Sequence, residues 1–321
     1  MGFQVSEDLD PSLAKQLIVD CNVEVPEKEW RPLAQGTTGE SQRIAFVDGV
    51  RRIHTRFTRQ TGSTVSFGAV GGLAAGCVAM RQSEINTFCR SLLSVSVKHI
   101  LLVSDPTGEP STISLPLSRS GGNSLELNVC RIEGRDPEEP VNMLQQLMRE
   151  EESFVIEGIY NSGDAPDLVI ADGPLNLHLL GPLPSVGYIK TIHTIYLPES
   201  LQPVVFNLIK GERTPIFFLQ AKKRSRERVN RYSCYFRVET PGPRESKQAG
   251  IVRLEVSAAI ELSRARELFD LCAGNLPRFV SPRGRDPRAP QNLAPLAALE
   301  TELRHRIGNP ALISRIVEDH F

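Results

Sequence analysis

The chain has 321 residues, enough for one large domain or two small ones at the usual ~100–200 residues each, and enough to bury a substantial core. Hydrophobic residues make up 40% and charged residues 23%, which excludes a disordered or fibrous chain. Lys and Arg number 37 against 38 Asp and Glu; the formal charge of -1 excludes a histone-like protein that coats nucleic acid by bulk charge, so nucleic-acid contact has to come from local patches.

Leu13, Leu17 and Ile18 have helical spacing between Asp10 and Asp20, and a Pro/Gly-rich polar stretch follows to Glu40, so residues 1–40 read as an N-terminal helical arm. Arg43 to Gly49 is an apolar run that stops at Asp48-Gly49 and resumes as an alternating stretch through Ile53 and Phe57, which predicts a buried strand followed by a turn. Thr64 to Met80, Ile100 to Val103 and Leu125 to Arg131 predict further strands, with loops over 104–124. Glu138 to Tyr160 predicts one long helix ended by Asn161-Ser162-Gly163.

Asp167 to Leu175 repeats the theme of an apolar strand that ends in Asp-Gly. Gly187 to Leu197 reads as a strand or strand-like link, Glu199 to Lys210 as a helix, and Arg228 to Glu239 and Ile251 to Val256 as strands. Helices are expected at Arg264 to Ala273 and Ala294 to Arg306. Residues 41–321 are therefore expected to form one α/β domain with helical terminal extensions.

Six cysteines, at 21, 77, 89, 130, 234 and 272, form no CxxC pair and read mostly as buried reduced thiols. The acidic N-terminus carries no apolar h-region and no long apolar run occurs, so the expectation is a soluble, cytoplasmic protein with no membrane partner. The glycines of Phe67-Gly68-Ala69-Val70-Gly71-Gly72 lack the order of a phosphate loop and read as packing sites. The six histidines show no HxH or HExxH spacing, which excludes the common zinc hydrolases.

Two buried strands that each end in Asp-Gly can bring Asp48 and Asp172 side by side at one sheet edge. Paired carboxylates repel unless a cation stands between them, and hard oxygen ligands suit Mg²⁺ or Mn²⁺. The alternative is that Asp-Gly is simply a turn dipeptide. Lys222, Lys223, Arg224, Arg226, Arg228 and Arg231 interleave with Tyr232, Tyr235 and Phe236, a pattern that neutralises phosphates and stacks bases, or else a solvated loop. Arg51 and Arg52 follow Asp48 closely enough to line the same groove, as do Arg56 and Arg59; Arg283, Arg285 and Arg288 make a third basic stretch.

Ala45-Phe46-Val47-Asp48-Gly49 and Val169-Ile170-Ala171-Asp172-Gly173-Pro174-Leu175, with Gly187-Tyr188-Ile189-Lys190 downstream, resemble the NurA nucleases over roughly residues 43–300. The resemblance implies an RNase H-like mixed sheet flanked by helices and a Mn²⁺-dependent (or Mg²⁺-dependent) deoxyribonuclease acting on DNA ends in double-strand break repair. The activity implied is exonucleolytic, with endonuclease action as a second option. It further implies a homodimer and a HerA-type hexameric ATPase as partner. Asp48 and Asp172 match the family's strand-borne metal ligands.

The resemblance also implies a glutamate ligand on the intervening helix. Glu150, Glu151, Glu152 and Glu157 compete for that place, with Glu152 preferred and Glu151 the close alternative. Where the family has a histidine on a C-terminal helix, Pro295-Leu296-Ala297-Ala298-Leu299-Glu300 puts Glu300, a departure that leaves either an all-carboxylate metal site or a weakened one. Lys190 then holds a phosphate or the pentavalent transition state, or is a snorkelling surface lysine. The implied chemistry is two-metal hydrolysis, with the ions ~3.5–4 Å apart.

Against the nuclease stands a second function, a DNA-binding subunit of weakened activity that docks or regulates the ATPase. An actin-like ATPase or sugar kinase would need Gly-rich phosphate loops after both Asp strands, and none is convincing here.

Overall fold

The computed structural model describes residues 17–34, 43–61, 63–82, 88–104, 111–117, 124–133, 136–221, 230–283 and 290–320. In chain order the strands are β1 (Leu17–Asp20), β2 (Arg43–Thr61), β3 (Thr64–Gln82), β4 (Phe88–Val103), β5 (Thr112–Pro116) and β6 (Ser124–Arg131). They continue as β7 (Leu168–Asp172), β8 (Ser185–Ile189), β9 (Phe217–Ala221), β10 (Arg231–Arg237) and β11 (Ile251–Ser257). The helices are α1 (Glu139–Asn161), α2 (Leu177–Leu180), α3 (Gln202–Phe206), α4 (Leu262–Asn275), α5 (Ala294–Arg306) and α6 (Pro310–Glu318). The architecture is mixed α/β, a large mixed sheet flanked by helices, and the chain divides into two compact units.

The first unit takes Met1–Val47, Val78–Ser91 and Ile156–Ala297. Its strands run in the order β1-β9-β10-β11-β8-β7 and then the opening of β2. β2, β7 and β8 are parallel, with Val47 opposite Ala171 and Ala171 opposite Gly187, whereas β8, β11, β10, β9 and β1 alternate antiparallel. Leu168 to Ala171 are all buried, as a strand covered on both faces requires, and Gly173 at φ 86° ends it. One core gathers Trp30, Leu197, Val205, Phe217 and Tyr235, and Trp30 Nε1 donates to the Cys21 carbonyl over 2.8 Å.

Leu17 and Ile18 stand in strand β1, paired to β9, and not in the helix that their spacing predicts; residues 1–16 of the expected arm lie outside the described residues. Four residues are too few for a 3.6-residue period to outweigh an open strand edge that supplies backbone partners. The segment is anchored further by buried Glu24. Its carboxylate takes Arg213 Nη1 and Nη2 at 2.8 and 2.9 Å, the Ile216 amide at 2.7 Å and Arg266 Nε at 2.9 Å, while Arg213 Nε donates to Asp270 at 2.7 Å.

The second unit takes Asp48–Cys77, Leu92–Val155 and Ala298–Phe321. Here β2, β3 and β4 follow one another, and β6 lies parallel to β4 with β5 antiparallel beyond it. Neighbouring residues of β3 and β4 serve two cores. Ala69, Leu73, Ile100 and Leu102 pack with Leu144 and Met148 of α1, whereas Val70, Leu101, Leu115 and Leu127 pack with Ile313, Ile316 and Val317 of α6. Gly71 belongs to this packing, since a Cβ there would stand 2.5 Å from a Leu144 methyl.

Several expected boundaries shift. β2 runs straight through Asp48-Gly49 without a turn. The 104–124 stretch holds β5, and the extended reading of 187–197 ends at Ile189. The expected helix at 199–210 is only the five residues of α3. Helix α6 was not foreseen, although Asn309 caps it by accepting the Ala311 and Leu312 amides and Pro310 opens it.

Cys21, Cys77, Cys234 and Cys272 are buried free thiols and Cys130 is partly exposed; the side chain of Cys89 lies outside the described residues. Among the described residues no helix is long and apolar enough to cross a membrane.

Candidate functional site

In the first unit, Asp172 closes strand β7 and meets Lys190, the residue after β8. Lys190 Nζ donates to Asp172 Oδ2 over 2.7 Å and to Asn292 Oδ1 over 2.8 Å. Asn292 precedes α5, and its Oδ1 also accepts the Leu293 amide at 3.1 Å, so the start of that helix aims the amide oxygen at the lysine. The Tyr188 hydroxyl donates to the Gln291 carbonyl at 2.7 Å and ties the same loop to β8. Burial, with Asp172 nearby, pushes the Tyr188 hydroxyl well above the usual phenol range, so it stays a neutral donor. Lys190 is thus a held, two-partner ammonium rather than a snorkelling surface side chain.

In the second unit, Asp48 is 7% exposed within β2, and its Oδ1 accepts the amide of Gly49 over 2.8 Å. A Cβ on Gly49 would stand 2.4 Å from Glu152 Oε1, so the Glu152 carboxylate of α1 fills the space that any side chain at 49 would occupy. Joined across that one residue, the bond and the close approach hold the two carboxylate oxygens within about 8 Å of each other.

Of the competing glutamates, Glu151 is buried against Lys98 of β4 in an ion pair. Glu150 accepts Gln146 Nε2 at 2.9 Å, and Glu157 is exposed. Glu300 on α5 is 38% exposed and paired with Arg304 four residues on, Nη2 to Oε1 2.6 Å, a helix-surface ion pair.

Each unit brings oxygen donors, Asp172 and Asn292 in the first and Asp48 and Glu152 in the second, and oxygen ligands suit a hard divalent cation rather than zinc. Glu152 seated in the Gly49 cradle fits such a role. Among the described residues, however, no group of three or more His, Cys, Asp or Glu is gathered as a metal cage.

The basic residues divide. Arg51 donates to Gln145 and Arg52 Nη1 to the Gly308 carbonyl at 3.1 Å, so both guanidinia are tied to neighbouring elements. Arg231 Nη1 donates to the fully buried Glu255 at 3.1 Å, which makes it part of an interior ion cluster. Lys222, Lys223, Arg224, Arg226 and Arg228 lie outside the described residues.

Sequence reasoning missed Asn292 and Glu255. The signal for Asn292 was an Asn just before a helix, and for Glu255 a pair of charges, Arg253 and Glu255, inside an otherwise apolar strand.

The chain is a mixed α/β protein that carries strand-borne Asp48 and Asp172, a lysine held by Asp172 and Asn292, and a helix glutamate beside Gly49. The family model described as the NurA domain matches residues 42–300, and the chain belongs to the NurA family. Among solved structures, the crystal structure of the NurA nuclease from Sulfolobus solfataricus is similar at 11% identity, with 97% of this chain and 92% of that chain covered and a TM-score of 0.43. No curated protein matches the chain.

Proposed function

We propose that this chain is a divalent-metal-dependent DNA nuclease that works on DNA ends in double-strand break repair, exonucleolytic first and endonucleolytic second. Membership of the NurA family over residues 42–300 supports the reaction class. The observation that carries the reading is Lys190 seated between Asp172 and Asn292, an ammonium beside a strand-end carboxylate and held from a second side. An RNase H-like description is supported by the chain order, in which three long strands precede helix α1 and β7 and β8 then run parallel to β2.

Asp48, Glu152 and Asp172 would hold Mn²⁺ or Mg²⁺, which when bound supplies Lewis-acid charge to the phosphodiester and makes water at the site more acidic. In the reaction a water oxygen would bond to phosphorus, giving its proton to solvent, as the P–O bond to the leaving sugar oxygen breaks and that oxygen takes a proton from solvent. The protein's own share is positional. Lys190 offers an N–H to a non-bridging phosphate oxygen, Asn292 fixes the direction of that ammonium, and Glu152 stays beside Asp48 because Gly49 leaves it room. Family membership supports a homodimer and a HerA-type hexameric ATPase as partner, with cytoplasmic action; size measurement of the purified chain, alone and with such an ATPase, tests both assemblies.

The purified chain should degrade end-labelled DNA with Mn²⁺ or Mg²⁺ and stop in EDTA, and Asp48→Asn and Asp172→Asn should each abolish degradation while keeping the fold. Degradation that survives EDTA, or both substitutions, overturns the reading. A second reading, a DNA-binding subunit of weakened activity, is favoured by the absence of a three-residue metal cage among the described residues and by Glu300 being engaged with Arg304. It expects DNA binding without degradation under every metal.

A further inference from the structure

Glu255 of β11 is fully buried, yet it is two strands away from the residue it bears on. Its Oε1 accepts the Leu175 amide at 3.0 Å, and its Oε2 takes Arg253 Nη1 at 2.9 Å and Arg231 Nη1 at 3.1 Å. Leu175 closes the turn Asp172-Gly173-Pro174-Leu175, so the carboxylate grips the backbone three residues after Asp172.

Between them lies Gly187 of β8, the register partner of both Ala171 and Glu255. A Cβ at 187 would meet the Gly173 carbonyl at 2.9 Å, Glu255 Cγ at 3.0 Å and Leu175 Cγ at 3.1 Å, so the turn folds down across β8 only because residue 187 has no side chain. Gly173, at φ 86°, donates its amide to the Tyr188 carbonyl at 2.9 Å, which fixes the other side of the turn.

We infer that Glu255 is a positioning residue for the nuclease reaction, holding the turn after Asp172 so that the carboxylate meets Lys190 in one orientation. The inference rests on the proposed nuclease reading. Three features support it. The grip is specific, because a carboxylate with one oxygen on a backbone amide and the other on two guanidinia has little freedom to rotate. Burial alone would raise the Glu255 carboxyl, but Arg231 and Arg253 outweigh it and hold it below the usual carboxylate range, so the grip stays charged. The Arg253 guanidinium also lies over the Tyr196 ring, 5.2 Å from its centroid, which fixes the cluster from behind. A buried cluster of this kind adds little net stability.

The test is Glu255→Gln in the full chain, compared with wild type by melting temperature, hydrogen exchange of the amides of Asp172, Gly173, Leu175 and Asn176, and DNA-degradation kinetics with Mn²⁺. The expected result is a folded protein with faster exchange confined to that turn, kcat lower by ten-fold or more, and KM for DNA within three-fold of wild type. Arg231→Gln, at a position that reaches solvent, should move the same readouts the same way by less, and it keeps the test decisive where Glu255→Gln does not fold. Unchanged exchange at 172–176, or unchanged kcat, overturns the inference. If wild type degrades no DNA, the nuclease reading fails by itself, and the exchange measurement alone decides whether Glu255 holds the turn.

Discussion

Lys190 and Asp172 form a sheltered ion pair, Nζ to Oδ2 2.7 Å, with the side chains 11% and 23% exposed, and the lysine's second bond to Asn292 prevents it from simply following the carboxylate. Such an arrangement fixes a positive charge in space before a substrate arrives. Lys190→Met should lower kcat for DNA degradation on the order of 100-fold, the usual cost of losing one preorganised donor, with a much smaller effect on DNA affinity. Single-turnover rates and binding isotherms on the same protein separate the two; a full-rate variant returns Lys190 to a structural role.

Gly49→Ala places a methyl where Glu152 Oε1 now lies. The displaced atom is the end of a flexible side chain, so stability should fall by less than about 1 kcal/mol. Activity should fall far more, because Glu152 leaves Asp48. Denaturant titration and the nuclease assay together check this: normal activity in a folded Gly49→Ala protein means that the carboxylate pair is not used.

His54 and His99 face each other from β2 and β4 with ring centroids 5.8 Å apart, and a Cβ added at Gly72 would meet both rings and an Ile307 methyl. Burial, then His99, then Arg52 push His54 down to about 4, and burial lowers His99. The unfolded chain therefore binds protons that the folded one refuses. Stability should be fully present above the ordinary histidine range near 6.5 and decline as pH falls toward about 4. Melting temperatures between pH 7 and 4 should show that slope, and His54→Gln should flatten it; parallel slopes for both proteins would remove the histidines as its cause.

Glu300→Ala should cost no more than about 0.5 kcal/mol, the scale of an exposed i,i+4 pair. Activity within about three-fold of wild type is expected from a carboxylate engaged by Arg304. A loss of two orders of magnitude would instead make Glu300 the fourth ligand, in the place where the family has histidine.

Much of the framework was legible because its signals are local. The α1 segment has a helical period and a Gly stop, and Leu168 to Ala171 is apolar enough to be a strand in any context. Asp48-Gly49 was misread for the opposite reason: the dipeptide favours turns, and what makes residue 49 a glycine is a glutamate about a hundred residues away on α1. Asp48, Asp172 and Lys190 were readable as motif residues. Asn292 and Glu255 act only through folded geometry, one across a loop and one across two strands.

Strand β1 covers the outer side of β9, and Glu24 delivers the carboxylate that neutralises interior Arg213. Residues 17–34 therefore form a hem on the sheet. A shortened chain beginning at Arg43 would bare a row of unpaired β9 amides and carbonyls and leave Arg213 sharing a single aspartate, conditions that favour strand-to-strand clumping in the test tube. Shortened versions made for assay should lose solubility before they lose any of the groups proposed to act on DNA, so an inactive preparation of that kind would not test the proposal.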